Sequence, residues 1–302
     1  MSVCVNVIMP TGGSEGHINA RIKSLLSQSI DVNISSVVNA DSQDLTLFAL
    51  KSMRARHPER IALYEANEQC ASYLGVIMYL LQFAPGDYHI LAGQRDFWEK
   101  DTALKLLEAM QKSEAQDPSA PVMVYGDCSL YGENMKSSAE SFFDYTGISE
   151  KHSGFSRALL RCPAPRGFIM INGALRERAL LWNTKNSTSP PEQIFAMIAS
   201  GMGKLINIKE NLGKLTVSDP IFPDEPTVHK PIYSEKNLLV LSEQAEIFLK
   251  TYRSFLSEKN IMILEEFGSI FELSRAKRIS LLLKRGILPD TFGDSLKMLR
   301  II

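Results

Sequence analysis

Three short stretches of this 302-residue chain place chemically capable side chains next to one another. In Tyr88-His89-Ile90-Leu91-Ala92-Gly93-Gln94-Arg95-Asp96-Phe97-Trp98, an apolar run ends on a glycine and delivers a guanidinium beside a carboxylate. Arginine grips phosphate through two parallel N–H donors and keeps its charge at any working pH, so Arg95 suits an anionic ligand. Its plainer reading is a surface cation, with Asp96 capping the following helix. In Asn39-Ala40-Asp41-Ser42, Asn39 offers a donor and an acceptor to a base edge, although the same four residues also make an ordinary turn. In Pro190-Pro191-Glu192, a carboxylate falls in the first turn of a helix, where the macrodipole favours an anion. A carboxylate there can take a proton from a hydroxyl, and acids are also common at that position for helix stability alone. His229 stands alone, a pattern more often structural or exposed. Asp127 reads as a turn cap rather than a ligand contact.

These residues need elements to position them. Residues 3–9 alternate and are rich in β-branched side chains, then meet Pro10-Thr11-Gly12-Gly13, a strand ending in a loop. Ser14 can cap the next segment, where Ile18, Ile22, Leu25 and Leu26 recur at helical spacing. Strands over 34–38, 61–64 and 88–92 alternate with helices over 45–56, 70–83 and 101–110, the last capped by Asp101. This order predicts an α/β fold: a mostly parallel, Rossmann-like sheet with helices on both faces, binding ligands beyond the carboxyl ends of its strands. Pro10 and Thr11, at the end of the first strand, would then line the cleft.

Beyond residue 113 the pattern loosens. Residues 112–121 read as a polar loop, 122–125 and 168–171 as strands, and 133–156 as a poorly periodic region. Pro190-Pro191-Glu192 opens a helix whose Phe195, Ile198, Ala199 and Met202 share one face. From about Ser242 the chain is helical, interrupted by Gly268, Gly286 and Pro289.

Composition narrows the classes. With 45% hydrophobic and 22% charged residues the chain can bury a large core. A formal charge of −1 gives no basic face for nucleic acid. Cys4, Cys70, Cys128 and Cys162 lie too far apart to suggest a zinc site or a disulfide framework, which fits a reducing cytoplasm. The start shows no basic segment with a cleavage site, and no apolar run approaches the roughly 20 residues needed to span a bilayer, so the expectation is a cytoplasmic protein.

The order of these pieces resembles the family-two inverting glycosyltransferases of GT-A fold, within them the rhamnosyltransferase-like proteins. Val7-Ile8-Met9-Pro10-Thr11 is similar to the family's opening strand, and Ser24-Leu25-Leu26-Ser27-Gln28 to its first helix. Val37-Val38-Asn39-Ala40-Asp41-Ser42-Gln43-Asp44 stands where the family usually has two aspartates, glycine and serine. Ala84-Pro85-Gly86-Asp87-Tyr88 leads into the metal-motif strand. Gly167-Phe168-Ile169-Met170-Ile171 resembles the strand near the acceptor site. Pro191-Glu192-Gln193 through Ala199-Ser200-Gly201-Met202-Gly203-Lys204 is similar to the family's His-Asp-Trp helix ending in Gly-Lys. The basic, leucine-rich run Arg275-Ala276-Lys277-Arg278-Ile279-Ser280-Leu281-Leu282-Leu283-Lys284-Arg285-Gly286 resembles its tails.

The resemblance implies transfer of a hexosyl or deoxyhexosyl unit from a nucleotide-sugar donor to a glycan or lipid-linked acceptor in bacterial surface polysaccharide or glycoconjugate synthesis. In the family the usual Asp-Gln-Asp-Asp holds Mg²⁺ or Mn²⁺ against the leaving diphosphate. Here it becomes Gly93-Gln94-Arg95-Asp96, which disfavours a metal and leaves Arg95 to offset that charge. Asn39 and Asp41 would touch the nucleotide with Pro10, Thr11, Gln94 and Asp96, and Glu192 would be the general base. The altered motif keeps a second class open, a glycosyltransferase-like binding or scaffold subunit that has lost catalysis.

Two regions are expected, a GT-A-like domain over residues 1–230 and a helical region over 231–302. Residues 274–302 carry seven Lys/Arg against two Asp among leucine and isoleucine. That composition suits either peripheral contact with the inner membrane face or a helix packed on the domain with a solvated basic side.

Overall fold

The computed structural model describes residues 3–11, 18–38, 45–93, 96–132, 136–149, 154–187, 189–217 and 234–302. β1 (Val5–Ile8), α1 (Ile18–Leu26), β2 (Val32–Val38), α2 (Leu45–Arg56), β3 (Ile61–Glu65), α3 (Tyr73–Phe83) and β4 (Tyr88–Leu91) follow one another in the expected alternation. β3, β2, β1 and β4 are parallel neighbours, and Val5, Val7 and Ile8 of the central β1 are almost wholly buried. A strand covered on both faces is mostly apolar, and of the polar residues these carry, Asn6, Ser35, Ser36 and His89 are buried with it. α3 starts later than helical spacing predicts: a separate 3-10 turn occupies Glu68–Ala71, and the Ser72 hydroxyl accepts from Gly75 N–H to open the helix.

The second half of the sheet is mixed. β5 (Phe97–Trp98) and α4 (Thr102–Glu114) lead into β6 (Val122–Gly132), β7 (Ser137–Ala139), α5 (Phe142–Thr146), α6 (Phe155–Leu160), β8 (Ile169–Asn172) and α7 (Gly173–Ala179). α8 (Pro191–Met202) then precedes β9 (Lys204–Val217), and the strand order is β3-β2-β1-β4-β8-β6-β9-β5 with β7 beside β6. β8 runs antiparallel to both β4 and β6, whereas β6 and β9 are parallel. α5 and α6 span only five and six residues, under about 10 Å each at the helical rise. Neither carries the chain back across the sheet, so β8 enters at the edge where β6 ends and runs the other way. β6 extends to Gly132, well past the expected 125, and β9 is a 14-residue strand that hydrophobic alternation does not announce.

Strand direction fixes the orientation of two helices. β4 starts at the sheet's amino edge, so α3, which precedes it, begins at the carboxyl edge. β9 starts level with Val122, at the amino end of β6, so α8 likewise begins at the carboxyl edge. Both helix starts therefore face the side where β1, β2 and β4 end.

α9 (Glu235–Tyr252), α10 (Glu258–Gly268), α11 (Arg275–Arg285) and α12 (Phe292–Ile301) form the helical C-terminal region. It docks through a knot of aromatic rings. Trp182 stacks on Tyr252 with centroids 6.2 Å apart, while Phe248 meets Tyr252 at 4.6 Å and Phe155 at 5.9 Å. The Tyr252 hydroxyl donates to Arg178 O, and Asn260 Nδ2 to Gly201 O at the end of α8. The expected division at 230/231 lies outside the described residues.

Candidate functional site

The carboxyl edge is assembled from the ends of β1, β2 and β4. Met9 N–H donates to Ser35 O and Ala92 N–H to Ile8 O, prolonging the ladder past the last strand residues. Pro10 is buried, and the Thr11 hydroxyl lies 3.0 Å from Val37 O, to which it donates, and 3.1 Å from Ser36 Oγ. Thr11 thus ties the exit of β1 to the exit of β2, directly before Asn39 and Asp41. Asn39, Asp41, Gln94, Arg95 and His229 lie outside the described residues.

Asp96 belongs to this edge, and its side chain turns inward. It is 2% exposed, and its carboxylate accepts from Gly93 N–H at 2.6 Å. A Cβ on Gly167 would stand 1.9 Å from Asp96 Oδ2, so the glycine ahead of β8 is what gives that carboxylate room. The Cys128 thiol beneath is held well above its ordinary value, first by burial and then by the charges of Asp96 and Asp127, and is no nucleophile.

Glu192 stands in the first turn of α8, 2% exposed, after the N-cap Pro190 and with Pro191 at the first helical position. Its Oε1 accepts from the Tyr73 hydroxyl at 2.5 Å, and Tyr73 is the first residue of α3. The two helix starts that strand direction brings to the carboxyl edge are therefore joined by one short, charge-assisted hydrogen bond. Burial pushes the Cys162 thiol up to about 12, and the Glu192 charge adds to the shift.

A divalent cation needs several hard oxygen donors around one point. Among the described residues no group of three His, Cys, Asp or Glu side chains meets that need. The surviving motif carboxylate, Asp96, is folded beneath Gly93 and Gly167. These residues do not fit a metal clamp, and no step below runs through one.

Several residues emerge only in three dimensions. Tyr73 is one; residues 119 positions apart meet in its bond to Glu192. Arg21 occupies the apolar stripe of α1 with Ile18, Ile22 and Leu25, all buried. Its guanidinium lies 4.8 Å from the Phe97 ring centre and donates to Thr216 Oγ1 at 3.2 Å, setting a cation against the motif strand. A cation at apolar helical spacing is the signal that could have singled it out. Gln28 caps α4: its Oε1 accepts from Ala103 N–H and its Nε2 donates to Glu99 O. Asp101 holds the N-cap position without a side-chain cap bond, so the expected capping role passes to Gln28. Asp127 does cap: its Oδ1 accepts from Cys128, Phe142 and Phe143 N–H, closing the turn into α5.

No family model matches the sequence, and no curated protein matches it. Solved structures do match. Residues 1–349 of TarS from S. aureus superpose with a TM-score of 0.57 at 16% identity, covering 92% of this chain and 74% of that one. The same TarS fragment in complex with UDP-GlcNAc gives 0.56 at 15% identity, with 93% and 80% covered. The mannosyltransferase PcManGT from Pyrobaculum calidifontis, in complex with GDP-Man and Mn2+, gives 0.55 at 16% identity, with 95% and 74% covered. No described helix is long and apolar enough to cross a membrane. The mixed sheet, its helical layers and their order make the fold of this chain that of the GT-A-like glycosyltransferases.

Proposed function

We propose that this chain is an inverting glycosyltransferase moving a hexosyl or deoxyhexosyl unit from a nucleotide-sugar donor to a glycan or lipid-linked acceptor, in bacterial surface polysaccharide or glycoconjugate synthesis. The observation that carries the reading is Glu192, a carboxylate fixed by Tyr73 at the start of a helix on the edge where the parallel strands end. Its support from the fold is that similar structures, matched over more than nine-tenths of this chain, hold UDP-GlcNAc or GDP-Man.

In the proposed step the acceptor hydroxyl gives its proton to Glu192 as its oxygen attacks the anomeric carbon. The bond from that carbon to the diphosphate oxygen breaks on the opposite face, and the nucleoside diphosphate leaves with the electron pair. A helix N-terminus favours Glu192 as the anion a base must be. Arg95 offsets the charge of the leaving diphosphate, and Asn39 and Asp41 meet the nucleotide, with Pro10, Thr11 and Gln94 around it, while the inward Asp96 drops out of the expected contacts. These assignments rest on sequence position. The inward turn of Asp96 supports a metal-independent reaction and equally a second reading, a binding or scaffold subunit that no longer transfers.

Thermal unfolding with UDP-, dTDP- and GDP-sugars, with and without chelator, tests the proposal. A ligand bound only by the folded state at a hundred times its dissociation constant stabilises by about 2.7 kcal/mol. The expected result is a chelator-insensitive rise with one nucleotide class, together with a loss of transfer of about 10²- to 10⁴-fold in Glu192→Gln. No response to any nucleotide overturns the reading. A nucleotide response without transfer selects the scaffold, and a fully active Glu192→Gln removes this residue as the base.

A further inference from the structure

The basic C-terminal run is the sequence feature that neither the fold nor the proposed reaction uses. In α12, Met298 and the closing Ile302 point into the core at 0% and 6% exposure, as a packed helix requires. Its opposite side carries two apolar residues, Phe292 at 80% exposure and Leu296 at 40%. At 100° per residue, Phe292, Leu296 and Arg300 follow one another along one side, with Lys297 beside them. α11 also buries Leu281 and Leu282 while leaving Leu283 54% exposed next to the exposed Lys284, which lies two turns from the exposed Lys277. Arg275 donates to Arg300 O, so the end of α12 returns to the start of α11.

A helix that is apolar inside and only solvated outside has no reason to present a phenylalanine at 80% exposure. Exposed apolar side chains interleaved with lysine and arginine are the requirement of a helix lying in a lipid interface, where the apolar groups enter the acyl boundary and the cations meet anionic headgroups. Seven Lys/Arg against two Asp follow Ser274 in a chain whose net charge is −1; Arg278, Arg285 and Lys297 pair with Glu235, Glu266 and Asp294, while Lys277, Lys284 and Arg300 stand exposed.

We propose that α11 and α12 dock this protein on an anionic lipid surface through Phe292, Leu296 and Leu283, with Lys277, Lys284 and Arg300 facing the headgroups. This inference is independent of the catalytic reading and stands or falls without a transferase assay.

The test uses the full chain with Phe292→Trp as reporter. Trp98 and Trp182 are 6% and 4% exposed, so a tryptophan at 292 supplies the solvent-sensitive signal. The expected result is a blue shift with vesicles containing phosphatidylglycerol, at least tenfold weaker with phosphatidylcholine alone and weakened by 0.5 M salt. In co-sedimentation, Leu296→Asp combined with Lys284→Glu is expected to cut binding at least tenfold with no change in thermal midpoint. Equal response to both vesicle types, no pelleting, or unaltered binding by that variant overturns the proposal. So does a concentration-dependent dimer that the variant abolishes while vesicles remain unbound.

Discussion

The two edges of one sheet use polar side chains differently. At the amino edge, where Tyr88 is paired in register with Asn172, a single amide closes the fold's own loose ends. Asn172 Oδ1 accepts from Val122 and Leu175 N–H, and its Nδ2 donates to Glu114 Oε1 and Ala120 O, all between 2.9 and 3.0 Å. The Tyr88 hydroxyl donates to the other Glu114 oxygen at 2.5 Å. At the carboxyl edge the short bonds orient acids instead: Tyr73 fixes Glu192, and Gly93 N–H fixes Asp96. Both edges hold a carboxylate by a tyrosine hydroxyl, but Glu114 serves an amide that ties backbone ends together, whereas Glu192 lies where the parallel strands end, the place such sheets bind ligands. Function is therefore sought at the second edge.

Breaking the amino edge has the larger effect on stability. Asn172→Ala removes the cap of α7 and the amide partner of Val122 N–H and Ala120 O, for a loss of about 3 kcal/mol in urea unfolding with the nucleotide-induced shift of the folded protein retained. A loss of nucleotide response at intact stability would erase the contrast between the edges.

His89 gives the same edge a pH signature. Burial drives its pKa down to about 4 against an ordinary 6.5, and its ring lies 3.1 Å from Ala84 O. The folded protein holds it neutral while the unfolded chain protonates. Stability is thus fully present above pH 6.5, falls as the pH drops toward 4, and loses up to about 3 kcal/mol. His89→Leu is expected to flatten that limb of the unfolding midpoint plotted against pH.

Tyr73→Phe is the gentlest change and sharpens the other edge. It costs about 1 kcal/mol of stability for one hydrogen bond. It also removes the donor that fixes Glu192, so transfer should fall roughly 10- to 10²-fold while the nucleotide-induced shift is kept. Unaltered transfer with the stability loss present would make Tyr73 a purely structural contact.

Much of the first half was legible because buried parallel strands and amphipathic helices write their periods plainly, and Asp127 fell to a turn as its neighbours suggested. β9 was not, since Lys204, Asn207, Lys209, Glu210, Asn211 and Lys214 dilute its alternation along the partly exposed flank of the sheet. The start of α8 was visible from its two prolines, but the partner of Glu192 was not, because only the reversal of α3 beside α8 brings Tyr73 there. The fate of Asp96 depended likewise on Gly167, 71 residues away, whose missing Cβ makes room for the carboxylate.

The aromatic knot has a practical corollary. Phe155 and Trp182 belong to the sheet side, while Phe248 and Tyr252 belong to α9. A protein shortened to end before Ser234 would present two naked rings to water, and self-association would mask whatever such a fragment binds. The helical C-terminal region is not a detachable accessory, and ligand studies need it in place.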